Sequence, residues 1–246
     1  MKKYIEYCNK ITEILNEIIE TQAEKIDRAI DMLFEAFHSG HSIYVFGASH
    51  AGIFTEEMYG RAGGLMIVNP IFNPTLMLNT RPITVTSEME QLEGFGRVIL
   101  NGARLKKDDV LILCSVSGRN SVAIDMAIDA GKLGAKIICV TSLDYGRNVK
   151  SRHSSGKLLS ELADIVIDNC GEYGDACIPV GEIGVKAGAT STVSGAAIAN
   201  MLTVGFAQKC EESGIEPPVF ESSNTDSGSE NNTRRVMQYI KQIHYL

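Results

Sequence analysis

Five short runs constrain the fold more than anything else in this chain: SIYVF at 42–46, LMIV at 65–68, VLILCS at 110–115, IICVT at 137–141 and IVID at 165–168. All are mostly apolar and rich in β-branched residues. A strand with one wet face alternates apolar and polar side chains; these runs do not, so both of their faces must be covered. Helical patterns separate several of them, at Ala51–Arg61, Glu88–Leu105 and Ser121–Leu133. Strands alternating with helices read as βαβ units and a parallel sheet. The expected fold is α/β: a doubly wound, five-stranded parallel sheet of flavodoxin-like order 2-1-3-4-5, with helices on both faces.

Ahead of the first run, Ile5, Ile11, Ile14, Leu15, Ile18, Ile19, Ile26, Ile30, Leu33 and Phe37 recur at helical spacing, and Gly40 supplies a helix stop. Residues 1–40 are therefore expected to form an N-terminal helical element, as two helices or one bent one. Residues 41–246 form the main domain with its C-terminal helices. Ala187–Gln208 carries no charge, but Thr190, Ser191, Thr192, Ser194 and Asn200 make it a buried small-residue packing helix and not a membrane span. The polar run ESSNTDSGSENN at 221–232 is either a lid or disordered, and a last helix is expected over Thr233–Tyr245.

Charge narrows the partners. With 23 Lys and Arg against 30 Asp and Glu, the net charge of −7 offers no footprint for nucleic acid or an anionic membrane, so the expected partner is a small molecule. Six cysteines form no Cys-x-x-Cys pair or zinc-like spacing, which fits a reducing cytoplasm. Met1-Lys2-Lys3 does not open a signal peptide, because Glu6, Lys10 and Glu13 interrupt any apolar stretch.

Two turns carry the chemistry. The first strand runs into Gly47-Ala48-Ser49-His50-Ala51-Gly52, and the third into Ser115-Val116-Ser117-Gly118-Arg119-Asn120-Ser121. Each joins small residues and hydroxyls to a helix N-terminus, the combination that holds a phosphate. Such residues also serve ordinary caps and turns. In the order 2-1-3-4-5, however, both turns meet where the crossovers diverge and a crevice opens. A dinucleotide is disfavoured: Ser49 stands where the Gly-x-Gly-x-x-Gly fingerprint needs glycine, and Asn69-Pro70 offers no acidic residue for a ribose. No cofactor is expected.

The succession GASHAG, EEMYGR, SVSGRNS and GAKIICVTS resembles the sugar isomerase (SIS) domain family over roughly residues 40–210. The local similarity is to bacterial phosphoheptose isomerases, and the whole chain is similar to uncharacterised SIS proteins regarded as phosphosugar isomerases. The resemblance implies a phosphosugar held at its phosphate by Ser49, Ser115, Ser117, Asn120 and Ser121, with Gly118 allowing close approach. It also implies Glu57 as the base of an aldose–ketose isomerisation through an enediolate. Read from the residues alone, Glu57 and Arg61 form an i,i+4 surface pair.

The resemblance also exposes departures. Some phosphoheptose isomerases bind zinc through a histidine four residues before that glutamate and through a Gln and a His on the last helix. Here Ile53 fills the first place and Ser194–Ser213 contains no histidine, so no metal is expected. The usual histidine acid has no counterpart. His50 in the first turn and His153 in the loop before the fifth strand are the candidates to assist ring opening or proton donation. Lys157 could meet a ligand anion, and Glu172, Asp175 and Glu182 either touch a sugar or are loop polarity. Because SIS domains pair, a homodimer or larger homo-oligomer is expected. Besides the disfavoured dinucleotide enzyme, two alternatives stay open. One is a lyase or etherase acting on an N-acetylamino sugar phosphate. The other is a non-catalytic phosphosugar sensor, for which residues 1–40 offer little basic charge.

Overall fold

The computed structural model describes residues 1–182, 184–226 and 228–246. The sheet holds β1 (Ile43–Gly47), β2 (Val68–Pro70), β3 (Val110–Cys114), β4 (Lys136–Thr141) and β5 (Ile165–Asp168), all parallel, in the order β2-β1-β3-β4-β5. That is the order expected of the sequence. Alternate side chains of the strands feed two cores. Ile43, Val45, Val110, Ile112, Ile138 and Val140 face α1 (Lys3–His38), α2 (Gly52–Met58) and α7 (Ser191–Glu212). On the opposite side Tyr44, Phe46, Leu111, Leu113 and Cys139 pack against α4 (Phe95–Ala103) and α5 (Ser121–Leu133). Both faces are dry, which is why the strands carry no polar alternation.

The N-terminal element is one continuous 36-residue helix, whose Ile14, Ile18, Ile26, Ile30, Leu33 and Phe37 are buried. Helix α7 replaces the expected uncharged helix; the first residues of that stretch belong instead to a two-stranded antiparallel hairpin, β6 (Ala176–Val180) and β7 (Val185–Ala189). Among the described residues no helix is long and apolar enough to cross a membrane.

Three boundaries differ from the sequence pattern. The run at 65–68 is buried, but the ladder strand begins at Val68. Leu65 bridges Val219 antiparallel and the Met66 N–H donates to Pro218 O at 2.8 Å, so burial there does not come from the parallel sheet. Glu88–Leu105 is not one helix: α3 (Ile83–Met89) and α4 are separated by a break in which Gly94 takes φ +88°. The two ends of the polar run at 221–232, whose residue 227 lies outside the described residues, are joined by a reciprocal pair, Glu221 N–H to Asn232 Oδ1 (2.8 Å) and Asn232 Nδ2 to Glu221 O (2.9 Å). Helix α8 spans Gly228–Tyr239, and α6 is the short helix Leu143–Arg147.

After α8 the C-terminal segment covers the open edge of the sheet at β2. Asn69, only 2% exposed, donates to Ile43 O (3.0 Å), Ile67 O (3.2 Å) and Gln242 O (2.9 Å) and accepts from the His244 N–H at 2.6 Å. The His244 ring stacks on Tyr44 at 5.8 Å and lies 2.8 Å from Ser42 Oγ. Burial lowers the His244 pKa from its usual value. The fold thus favours the neutral imidazole, whereas the unfolded chain takes up its proton near pH 6.5, so stability should fall as pH drops below that value. Urea midpoints for the wild type and His244→Gln should diverge at pH 7 and converge toward pH 5; parallel curves would show that His244 does not titrate on unfolding.

Candidate functional site

Two crossovers leave the carboxyl edge of the sheet at its centre, one beyond β1 and one beyond β3. The first turn has no room for a side chain at its start: a Cβ on Gly47 would lie 2.1 Å from Ala51 O. Ser49 then adopts φ +56°, an uncommon conformation for a residue with a Cβ, and Ser49–Ala51 forms a single 3-10 turn leading into α2. In the second turn Gly118 takes φ +62°, with Thr141 Oγ1 only 3.2 Å from where a Cβ would sit. Asn120 occupies the N-cap of α5 but makes no side-chain cap; its Oδ1 accepts from Arg152 Nη1 at 2.8 Å. The first turn of α5 therefore lacks a side-chain acceptor, and its Val122 N–H donates to Glu90 O at 3.2 Å.

These turns open into one cleft of about 390 Å³ that Ser49, His50, Ser115, Ser117 and Asn120 line together. The remaining expected residues lie outside it. Gly118 is buried, and Ser121 is fully buried with its Oγ 3.4 Å from Arg152 O. His153 serves a different junction: its Nδ1 accepts from the Ser155 N–H at 3.0 Å and its Nε2 lies 3.2 Å from Asp125 Oδ1. Asp125 Oδ2 in turn accepts from the N–H groups of Gly94 (2.6 Å) and Gly96 (3.2 Å), closing the N-terminus of α4. Glu57 projects from α2 toward α7, where its carboxylate takes Arg61 and Asn200 Nδ2, the latter at 2.7 Å. Lys157 and Glu182 are exposed, and Glu172 pairs with Lys10 (2.7 Å) and Lys186 (3.3 Å).

Two carboxylates stand on the cleft wall, Asp175, which the sequence offers as a sugar contact or loop polarity, and Glu90, which it does not single out. Asp175 caps α7: Oδ1 accepts from Thr190 N–H (3.0 Å) and Ser191 N–H (2.8 Å), and Oδ2 from Ser191 Oγ (2.7 Å). Glu90 sits in the break between α3 and α4, which the sequence periodicity hides. Burial pushes its carboxyl above the usual range, while a hydrogen bond from Asn120 and the charge of Arg152 pull the other way. The chain's six cysteines are free thiols, and among the described residues no three His, Cys, Asp or Glu side chains gather to hold a metal.

The SIS-domain family model matches residues 6–142, more than half of the chain. The chain is a member of the SIS-domain family. It is 45% identical over 244 residues to a UPF0309 protein of Shouchella clausii, covering 99% of both chains. It is 46% identical over 241 residues to a UPF0309 protein of Oceanobacillus iheyensis, covering 98% of both, and so belongs to the UPF0309 group. The SIS fold itself is matched by a phosphoheptose isomerase of Francisella tularensis, with TM-score 0.54, 16% identity and 85% of this chain against 100% of that one. A phosphoheptose isomerase of Neisseria gonorrhoeae superposes with TM-score 0.53 and 15% identity, over 85% of this chain and 97% of the other.

Proposed function

We propose that this protein binds a phosphosugar in the serine-turn cleft and interconverts its aldose and ketose forms through an enediolate. The observation that carries this reading is the convergence of Ser49 and His50 from one crossover with Ser115, Ser117 and Asn120 from another. Hydroxyls around a helix N-terminus without a side-chain cap suit a phosphate. Arg119 and Arg152 add local positive charge beside the second turn, as an acidic chain needs if it is to hold an anion; the Nε of Arg119 is buried with no partner among the described residues. Gly118 and Ser121 support the turn from beneath, and His50, exposed on the cleft wall, serves as donor to the sugar oxygen. At about 390 Å³ the cleft falls within the usual range for small-molecule sites. Membership of the SIS-domain family and the likeness in fold to phosphoheptose isomerases support the same substrate class. The reading includes pairing of copies: Met1, Tyr4 and Ile5 at the start of α1 and Val180 and Val185 on the hairpin are exposed apolar groups that a second chain would cover, and the mass in solution reports it.

Thermal unfolding with pentose, hexose, heptose and N-acetylamino sugar phosphates, beside unphosphorylated sugars, free phosphate and NAD, tests the reading. A phosphosugar at 100 times its Kd should add about 2.7 kcal/mol of stability, and the unphosphorylated sugar nothing. Stabilisation by NAD alone, or by no member of the panel, would overturn it.

A further inference from the structure

The isomerisation needs one carboxylate that reaches two adjacent carbons while the phosphate is held in the turns. On the phosphosugar reading above, we infer that this carboxylate is Glu90. Its backbone is tied to the phosphate turn: the main-chain carbonyl accepts the Val122 N–H in the first turn of α5 at 3.2 Å. Glu90 also lines the same cleft as Ser49, His50, Ser115 and Ser117.

Glu56 faces the adjoining pocket beside Ser49 and not this cleft, and three other carboxylates near the turns are committed elsewhere. Both oxygens of Asp175 are spent on the N-terminus of α7. Glu93 is held by Ser154, whose N–H reaches its Oε2 at 2.9 Å. Glu57 joins α2 to α7 through Arg61 and Asn200 and stands outside the cleft. The partly buried setting that raises the Glu90 pKa makes it a stronger base than a solvated carboxylate.

Glu90 removes the proton from C2 of the open-chain aldose. The C–H electron pair becomes the C1–C2 double bond, and the carbonyl pair moves onto O1, which His50 stabilises as donor. The hydroxyl proton of O2 passes to O1. The O2 pair then re-forms a carbonyl at C2, while C1 takes back the proton from the Glu90 carboxylic acid.

Solvent exchange tests the assignment directly. The full-length protein is incubated in D2O with each phosphosugar of the panel, and loss of the C1 or C2 proton signal is followed by NMR. In Glu90→Gln the exchange rate should fall by about 100-fold or more while phosphosugar affinity stays within about threefold, since general-base catalysis is worth that much and the amide keeps the shape. Glu88→Gln, an exposed position on α3, should exchange at the wild-type rate. Exchange that persists in Glu90→Gln, or that disappears in Glu57→Gln but not in Glu90→Gln, would overturn the assignment. So would a wild-type protein that binds phosphosugars but exchanges none of their protons, a result that leaves the binding reading standing. Absence of any phosphosugar binding would end both.

Discussion

Asn69→Ala is expected to destabilise the protein by about 3 kcal/mol and to free its C-terminal segment. Asn69 sits 2% exposed on β2 and spends three donor contacts and one acceptor contact on Ile43, Ile67, Gln242 and His244. Truncation leaves three buried carbonyls and one N–H without their partner, each worth about 0.5–1.5 kcal/mol net, or more where water cannot enter. For a chain of this size, 3 kcal/mol corresponds to a fall in Tm of roughly 6–12 °C. Asn69→Asp should be at least as damaging, because a carboxylate would face the same three carbonyls. Chemical denaturation gives the free energy, and limited proteolysis should trim residues beyond 240 in the variant first. A loss under about 1 kcal/mol would mean that those carbonyls find other donors and that the tail is not latched through Asn69.

Gly47→Ala is the second large effect, and it acts on the site as well as on stability. The added Cβ would meet Ala51 O at 2.1 Å and the Ala51 carbonyl carbon at 2.5 Å, backbone atoms that no rotamer change can move. Relief requires the Ser49–Ala51 turn to shift, at a cost of about 3 kcal/mol, the upper end for overpacking. Because Ser49 and His50 reach the cleft from that turn, phosphosugar affinity should drop with it. Gly52→Ala, whose Cβ would lie 3.3 Å from Gly47 O at the start of α2, should change stability by less than about 1 kcal/mol, since alanine's helix propensity offsets a mild crowding. Equal effects for the two substitutions would show that the close packing at Gly47 does not shape the turn.

Much of this architecture is legible in the sequence because burial on both faces writes itself as an unbroken apolar run. Ser42–Phe46, Val110–Ser115, Ile137–Thr141 and Ile165–Asp168 mark four of the five strands to within a residue. The same signal misleads at Leu65–Val68, where antiparallel contacts with Pro218 and Val219 bury the side chains and the ladder starts only at its last residue. Periodicity carries straight through Glu88–Leu105 because a break of a few residues preserves the helical phase. The positive φ of Gly94 is the local cue, and a glycine within a helical pattern does not by itself require one.

The site divides in the same way. Ser49, Ser115, Ser117 and Asn120 are legible because small residues at strand-to-helix turns are a local pattern. Long-range contacts decide the rest. Asp175 caps a helix 16 residues further on, His153 reaches Asp125 across 28 residues, and Glu57 meets Asn200 across 143. The hairpin β6–β7 is equally unmarked: β7 is exposed throughout, so no apolar alternation announces it.

We propose that the phosphosugar sits in the serine-turn cleft and not in the larger cleft of about 630 Å³ between α4, β2 and the C-terminal tail. Its lining includes Tyr44, Arg104 and His244 and none of the residues expected to bind phosphate. Backbone amide NMR of the labelled protein, titrated with the phosphosugar that most raises its Tm, decides between them. Shifts concentrated at Ser49–Ala51 and Ser117–Ala123, saturating together, are the predicted result. Shifts gathered at Asn69–Asn73, Gly102–Arg104 and His244–Leu246, with the serine turns unmoved, would contradict it.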